Sequence, residues 1–309
     1  MQLQQLLVVI DPTQSSQPSL ERAAWIARHS GAAIELLICE YNGALDSGLM
    51  FEAPALDKAR HALLAQRRDW LEQLATPLRQ EGLQVTSEVR WGKPLHKMII
   101  ARCAELKPDL LLKTAHSHGL LHRLLLSNTC WQLIRYCPTP LWLVKPQGEW
   151  RGQRLAVALD PTHSADKPAS LDHQLIDAAQ TLGQTLGLED HYLHSYAPLP
   201  RTLVFDAELV ADYEYYVERT GERHREAFEQ LLDGHAIGKP RTHLLQGFAE
   251  ETLPRFVDEN AVDLLLMGAI ARGHLDTALI GHTAERVLEG VNCDLLVLKP
   301  QGVAAHRAG

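Results

Sequence analysis

The 309-residue chain contains no run of about 18 apolar residues, so no segment has the length to span a bilayer as a helix. Its opening, MQLQQLLVVIDPT, lacks the basic start, long apolar centre and small-residue cleavage site of a secretory leader, and the expectation is a cytoplasmic protein without membrane insertion. Basic residues are outnumbered, 30 against 38 acidic, for a formal charge of −8, and no Lys/Arg block forms a phosphate-backbone stripe. Direct nucleic-acid binding is therefore not expected. The five cysteines, Cys39, Cys103, Cys130, Cys137 and Cys293, are odd in number, scattered and free of any CxxC pair. That excludes a disulfide framework and a zinc knuckle and leaves reduced, mostly buried thiols. Catalytic frames are missing too: there is no GxxxxGK[ST] lysine, no GxSxG elbow and no local Cys/His frame, so nothing nominates a nucleophile or general base. The expectation is a protein that is not an enzyme and has no catalytic residues.

What the chain has is enough apolar residue, 46%, against 22% charged, to bury the cores of two ordinary domains. It also has an internal repeat. VVIDPTQSS (8–16) returns as VALDPTHSA (157–165), DLLLKTA (109–115) as DLLLMGA (263–269), and LWLVKPQG (141–148) as LLVLKPQG (295–302). From Asp109 onward the offset is a constant 154, whereas near the start it is 149, so the second copy carries about five extra residues as loop insertions. Two copies of this size are tandem globular domains, 1–148 and 149–309, joined near the polar PQGEWRGQ.

Short apolar runs alternate with longer amphipathic ones, the pattern of a βαβ series. Strands are expected near 5–10, 33–39, 84–90, 109–113 and 141–145, with helices near 18–30, 57–80, 95–106 and 128–136. Strands of the second copy are expected near 154–159, 190–195, 241–246, 263–267 and 294–298. LLVVI, DLLL and LWLV are too continuously apolar to keep a wet face, so helices should cover both sides of each sheet. The expected fold is α/β: two doubly wound, open parallel-sheet, Rossmann-like domains related by a pseudo-two-fold. In such sheets ligands bind beyond the carboxyl ends of the strands where strand order reverses, the end that carries Asp11 and Asp160.

At that end of the second copy lies MGAIARGHLDTALIGHTAERV (267–287). A strand, a glycine-bearing loop and a helix start near Gly281 offer backbone amides and the positive end of a helix dipole to a phosphate. Gly268, Gly273 and Gly281 permit close backbone approach, and Arg272, His274, His282, Thr283 and Arg286 supply donors. The plainer alternative, that Gly268 ends a strand and Gly281 opens a helix, stays open on spacing alone. Taken with the tandem layout, the ID-P-T strand ends and the closing CDLLVLKP, this segment resembles the universal stress protein family over nearly the whole chain. The resemblance implies a stress-survival role, including resistance to DNA-damaging agents, and ATP as the cofactor to consider. Nucleotide-binding members carry GxxG, nine residues, then Gly followed by Ser or Thr, with an Asp after the first strand near the ribose. Gly268, Gly281 and Asp160 match that pattern, but Ala271 replaces the second glycine and His282 the hydroxyl.

In the first copy the corresponding residues are Thr114, Ser117, Ser127 and Asn128. Their side chains crowd the place of a phosphate, and Ser127 or Asn128 is expected to cap the helix from within. Asp11 then reads as a loop acceptor, and ATP is confined to the second domain. His116, His118 and His122 fit no metal spacing and read as loop histidines, so no metal is expected. The stretch 205–232 reads as a long amphipathic helix with Leu209, Tyr213, Tyr216, Val217, Phe228 and Leu231 along it. Core packing explains that stripe; the rival is an apolar cleft walled by YAPLPRTLVF for an amphiphile. Three readings remain: a non-enzymatic ligand- or partner-binding module, an ATP-binding switch or weak ATPase, and an amphiphile carrier. Beyond a small-molecule ligand, the partner left open is a second copy of the chain, as a homo-oligomer.

Overall fold

The computed structural model describes residues 2–46, 53–115, 126–146, 150–162, 170–198, 212–269, 271–272, 279–280 and 282–300. They fall into two compact units, one within 2–146 and one within 150–300.

In the first unit β1 (Gln5–Val9), β2 (Ala33–Glu40), β3 (Val85–Trp91), β4 (Leu110–Thr114) and β5 (Leu141–Val144) form a parallel sheet in the order β3-β2-β1-β4-β5. Consecutive residues Leu6, Leu7 and Val8 are all fully buried, so both faces of the sheet are covered and the unbroken apolar runs have their reason. Helices α1 (Pro18–Ser30), α2 (Gly43–Asp46), α3 (Ala53–Gln80), α4 (Leu95–Leu106) and α5 (Asn128–Tyr136) make the connections. Pro18 sits in the first turn of α1, where its missing N–H is no loss, and Gly31 ends the helix at φ +74°. Ser127 caps α5, its Oγ accepting from the Cys130 amide at 3.3 Å.

The second unit repeats the plan. β6 (Arg154–Leu159), β7 (Glu189–Tyr196), β8 (Thr242–Gln246), β9 (Leu264–Gly268) and β12 (Asp294–Leu298) run parallel in the order β12-β9-β6-β7-β8. A small antiparallel ribbon, β10 (Ala271–Arg272) with β11 (Leu279–Ile280), stands apart from that sheet. The helices are α6 (Ser170–Leu186), α7 (Tyr213–Leu232), α8 (Ala249–Glu259) and α9 (His282–Gly290).

Both sheets are fastened at the amino ends of their strands by the same device. Asp109 accepts from the amides of Gln4 (2.8 Å) and Gln5 (2.9 Å). Asp263, 154 residues later, accepts from those of Arg151 (2.7 Å), Gln153 (2.9 Å) and Arg154 (2.9 Å). Each carboxylate satisfies backbone donors entering a first strand, which that strand's own ladder leaves unpaired.

Strand order reverses between β1 and β4, and again between β6 and β9. These switch points bring Asp11 beside Thr114 and Asp160 beside Gly268, which defines the two places to look for a site. The ten main strands begin and end within two residues of their expected limits. Two-residue strands carry no readable periodicity, and the ribbon was accordingly not expected. Of the helix expected over 205–232, residues 205–211 lie outside the described residues, and α7 begins at Tyr213.

Candidate functional site

Asp160 follows β6 directly, and its position is set from two sides. Its amide donates to Asp172 Oδ1 at 3.3 Å, and Asp172, in the first turn of α6, is only 2% exposed. The preceding carbonyl, Leu159, lies 3.1 Å from His194 Nδ1 on β7. A carbonyl can only accept, so that nitrogen carries a proton. The Asp160 carboxylate accepts from Thr162 Oγ1 at 3.2 Å. Neither Asp172 nor His194 stood out in the sequence, because only pairing of β6 with β7 and packing of α6 bring them to the strand end.

Gly268 closes β9 on the neighbouring strand. A Cβ there would lie 2.6 Å from Leu171 Cδ2 and 3.3 Å from its Cγ, so the glycine lets α6 approach the sheet. Packing is thus a sufficient reason for this glycine, and the spacing to Gly281 does not by itself require a ligand. Beyond Gly268 the chain turns out and back: Ala271 pairs with Ile280 and Arg272 with Leu279. The nine-residue spacer therefore carries both ends of the ribbon toward one place, after which α9 starts and Thr283 is exposed in its first turn. Gly273, His274 and Gly281 lie outside the described residues, as do the side chains of Arg272 and His282. Arg286 is exposed and lies 3.5 Å from Glu250 Oε1 of α8.

At the equivalent place in the first unit, side chains engage the described strand ends and helix starts. Thr114 Oγ1 accepts from the Ser19 amide at 3.2 Å, capping α1 from across the sheet, and Lys113 Nζ donates to the Thr114 carbonyl at 2.9 Å. Asp11 accepts from the amide (2.8 Å) and hydroxyl (2.6 Å) of Thr13, while Gln17 bonds the Asp11 amide and carbonyl. Of the amides at the start of α5, that of Cys130 is taken up by Ser127, while residues 116–125 lie outside the described residues. Ser117, His116, His118 and His122 lie outside the described residues; among the described ones no group of three or more His, Cys, Asp or Glu is placed to hold a metal ion.

The second unit also has an open groove of about 520 Å³ between α7 and β8, with Phe228, Leu232, Ile237 and Leu244 among its walls. Of the stripe read along this helix, Phe228 is among the groove walls, while Tyr213 and Tyr216 are not. Tyr213 and Tyr216 pack on each other, centroids 6.0 Å apart, three to four turns from Phe228. That is roughly 20 Å along a helix axis, too far to share one wall. Residues 199–205 of the proposed loop wall lie outside the described residues. Among the described residues no helix is long and apolar enough to cross a membrane.

Two doubly wound α/β units in tandem, each with a switch point between its first and fourth strands, define a class of Rossmann-like tandem α/β proteins. The chain belongs to the universal stress protein family, whose model matches residues 2–145 and again 153–299. It is similar to universal stress protein E of Photorhabdus laumondii, 30% identical over 302 residues that cover 97% of this chain and 96% of that one. It is similar likewise to universal stress protein E of Escherichia coli K12, at 28% identity over 96% of this chain and 94% of that one. Among solved structures it resembles a functionally unknown protein of Pseudomonas aeruginosa PAO1, 26% identical, with a TM-score of 0.74 over 96% of this chain and 93% of the other.

Proposed function

We propose that the protein is a cytoplasmic stress-survival module in which a domain over 149–309 binds one ATP, while a domain over 1–148 has lost that capacity. The observation that carries this reading is the asymmetry between the switch points. In the first, Thr114 engages the Ser19 amide and Ser127 the Cys130 amide, whereas Asp11 and Asp160 are held alike, each by the threonine two residues on. In the second, Gly268 has no side chain to offer and the ribbon leads into an exposed helix start. Asp160, buttressed by Asp172 and His194, is the residue to meet the ribose; Gly268, Arg272, Gly273, His274, Gly281, His282 and Thr283 form the phosphate side. Binding without turnover fits this set, because hydrolysis needs a group that activates water and a fixed cation between phosphates. Asp160 sits on the ribose side of the proposed pose. Occupancy then follows nucleotide concentration, which is what a sensor supporting survival under DNA-damaging and other stress requires. Steady multiple turnover in a phosphate-release assay, lost in Asp160→Ala, His274→Ala or His282→Ala, would overturn the non-enzyme part. Second comes the carrier reading, which has the apolar walls of the α7–β8 groove in its favour. Mass spectrometry of small molecules released on heating separates the two, as nucleotide or as amphiphile.

A further inference from the structure

Six of the chain's 16 histidines stand in three ring-to-ring pairs, all in the second unit. His194 Nε2 on β7 is 2.8 Å from His224 Nδ1 on α7. His191 Nδ1, also on β7, is 3.1 Å from His243 Nε2 on β8. His173 Nδ1 on α6 is 3.1 Å from His235 Nε2 in the turn after α7. Each contact is short enough to be an N–H···N hydrogen bond, in which one nitrogen gives the proton and the other receives it.

We propose that these pairs make the second domain an acid-sensitive element in which His194 and His224 position the Asp160 strand end, and that each pair holds one added proton but not two. The chemistry is simplest at His194. Its Nδ1 proton is committed to the Leu159 carbonyl, so in the neutral ring Nε2 is the acceptor and His224 Nδ1 must donate. One added proton is accommodated, because either ring can then be the donor toward a neutral partner. A second leaves two N–H groups facing each other at hydrogen-bond distance between two cations, and the contact must open. The same count holds at the other two contacts.

The surroundings agree. Facing His194 are Asp160 from the β6 end, Asp172 from α6 and His224 from α7, with Phe228 and Tyr196 stacked about the pair. Beside His191 stands Glu189 at 3.6 Å, itself paired with Arg154, and Phe256 of α8 packs against both rings of that pair. Asp177 lies 3.9 Å from His235. A carboxylate thus stands near each pair. Burial opposes protonation: it holds His194 and His243 below the ordinary histidine value of 6.5, with His224 and His191 respectively pushing the same way. A folded pKa below the unfolded one gives stability that is present above pH 6.5 and is lost as pH falls. At the His194–His224 contact the unfolded rings take up two protons and the folded pair one. Each such pair therefore makes the unfolding constant of the second domain rise by about tenfold per pH unit on the acid side, one extra proton per pair. The local effect reaches the strand end because β7 holds Leu159, next to Asp160, through His194. The device does not depend on what the second domain binds.

The test uses the full chain and a triple variant, His224→Gln, His243→Gln and His235→Gln, which leaves each remaining histidine beside an amide that accepts or donates but does not titrate. Thermal unfolding is followed between pH 7.5 and 5.0 by hydrogen exchange of second-domain peptides, corrected for intrinsic exchange. The wild type is expected to lose second-domain stability steeply below pH 6.5, with early loss of protection at 155–160, and the triple variant to lose it less steeply, the burial of His194 remaining. A triple variant as acid-labile as the wild type, or a wild-type second domain no more acid-labile than the first, overturns the proposal. Should the triple variant fold poorly, the single variant His224→Gln decides. Its pH profile at 155–160 must flatten by one proton, and an unchanged slope there refutes the role given to His194.

Discussion

Replacing Asp263 by alanine should destabilise the second domain by about 4 kcal/mol. The carboxylate is 3% exposed and accepts three backbone amides, those of Arg151, Gln153 and Arg154, at 2.7 to 2.9 Å. Hydrogen bonds to a charged group contribute roughly 1.5–3 kcal/mol each. Their sum is not reached, because the Arg151 amide can turn toward water once the carboxylate is gone. The Gln153 and Arg154 amides share Oδ2 and lie where β6 enters the sheet, so they lose most. Asp263→Asn keeps one carbonyl oxygen for that pair and should cost about half as much. Asp109→Ala, with two amides on one oxygen, should destabilise the first domain by about 2–3 kcal/mol. Tryptophan fluorescence reports mainly on the first domain, since five of the six tryptophans precede residue 148 and only Trp150 lies in the second unit. Urea unfolding read by hydrogen exchange of the β6 peptide isolates the relevant half. A loss below about 1 kcal/mol in Asp263→Ala would refute the claim that this carboxylate fastens the sheet.

Three further outcomes follow from particular contacts. Gly268→Val should destabilise the second domain by about 1–3 kcal/mol through collision with Leu171. Adding Leu171→Ala should relieve part of that loss, and a double variant worse than the sum of the singles would contradict it. Thr114→Val removes the hydroxyl that caps α1 and should lower first-domain stability by about 1 kcal/mol; unchanged unfolding of that domain would refute the capping role. Burial pushes the Cys39 thiol up to about 12 against the lowering effect of Arg90. At pH 8 its thiolate fraction is then about a thousandfold below that of an ordinary cysteine, so native Cys39 should resist iodoacetamide that labels the urea-unfolded chain at once.

The fold was legible because its signals are long: LLVVI, DLLL and LWLV can only be strands covered on both faces, and the repeat at offset 154 supplies each reading twice. Ser127 as the cap of α5 was also readable, since a hydroxyl before an amphipathic run has one usual use. The site was legible only in outline. Gly268 suggests backbone approach to a ligand, yet the contact that demands glycine is Leu171, which lies 97 residues away in sequence. Asp172 and His194 act on Asp160 through strand order and helix packing, which no local pattern encodes. The histidine pairs escape reading for the same reason, since their partners stand 30 to 62 residues apart.

Titration calorimetry of the full chain with Mg-ATP tests the asymmetry between the two switch points most directly. One equivalent per chain is expected, abolished by Gly281→Val and by Asp160→Ala and untouched by Ser127→Val. A stoichiometry of two, or binding that survives Gly281→Val and disappears in Ser127→Val, would place the nucleotide in the half whose amides Thr114, Ser127 and Asp11 engage. No heat of binding in the wild type, with nothing nucleotide-like released on heating, would contradict the assignment of ATP to the second domain.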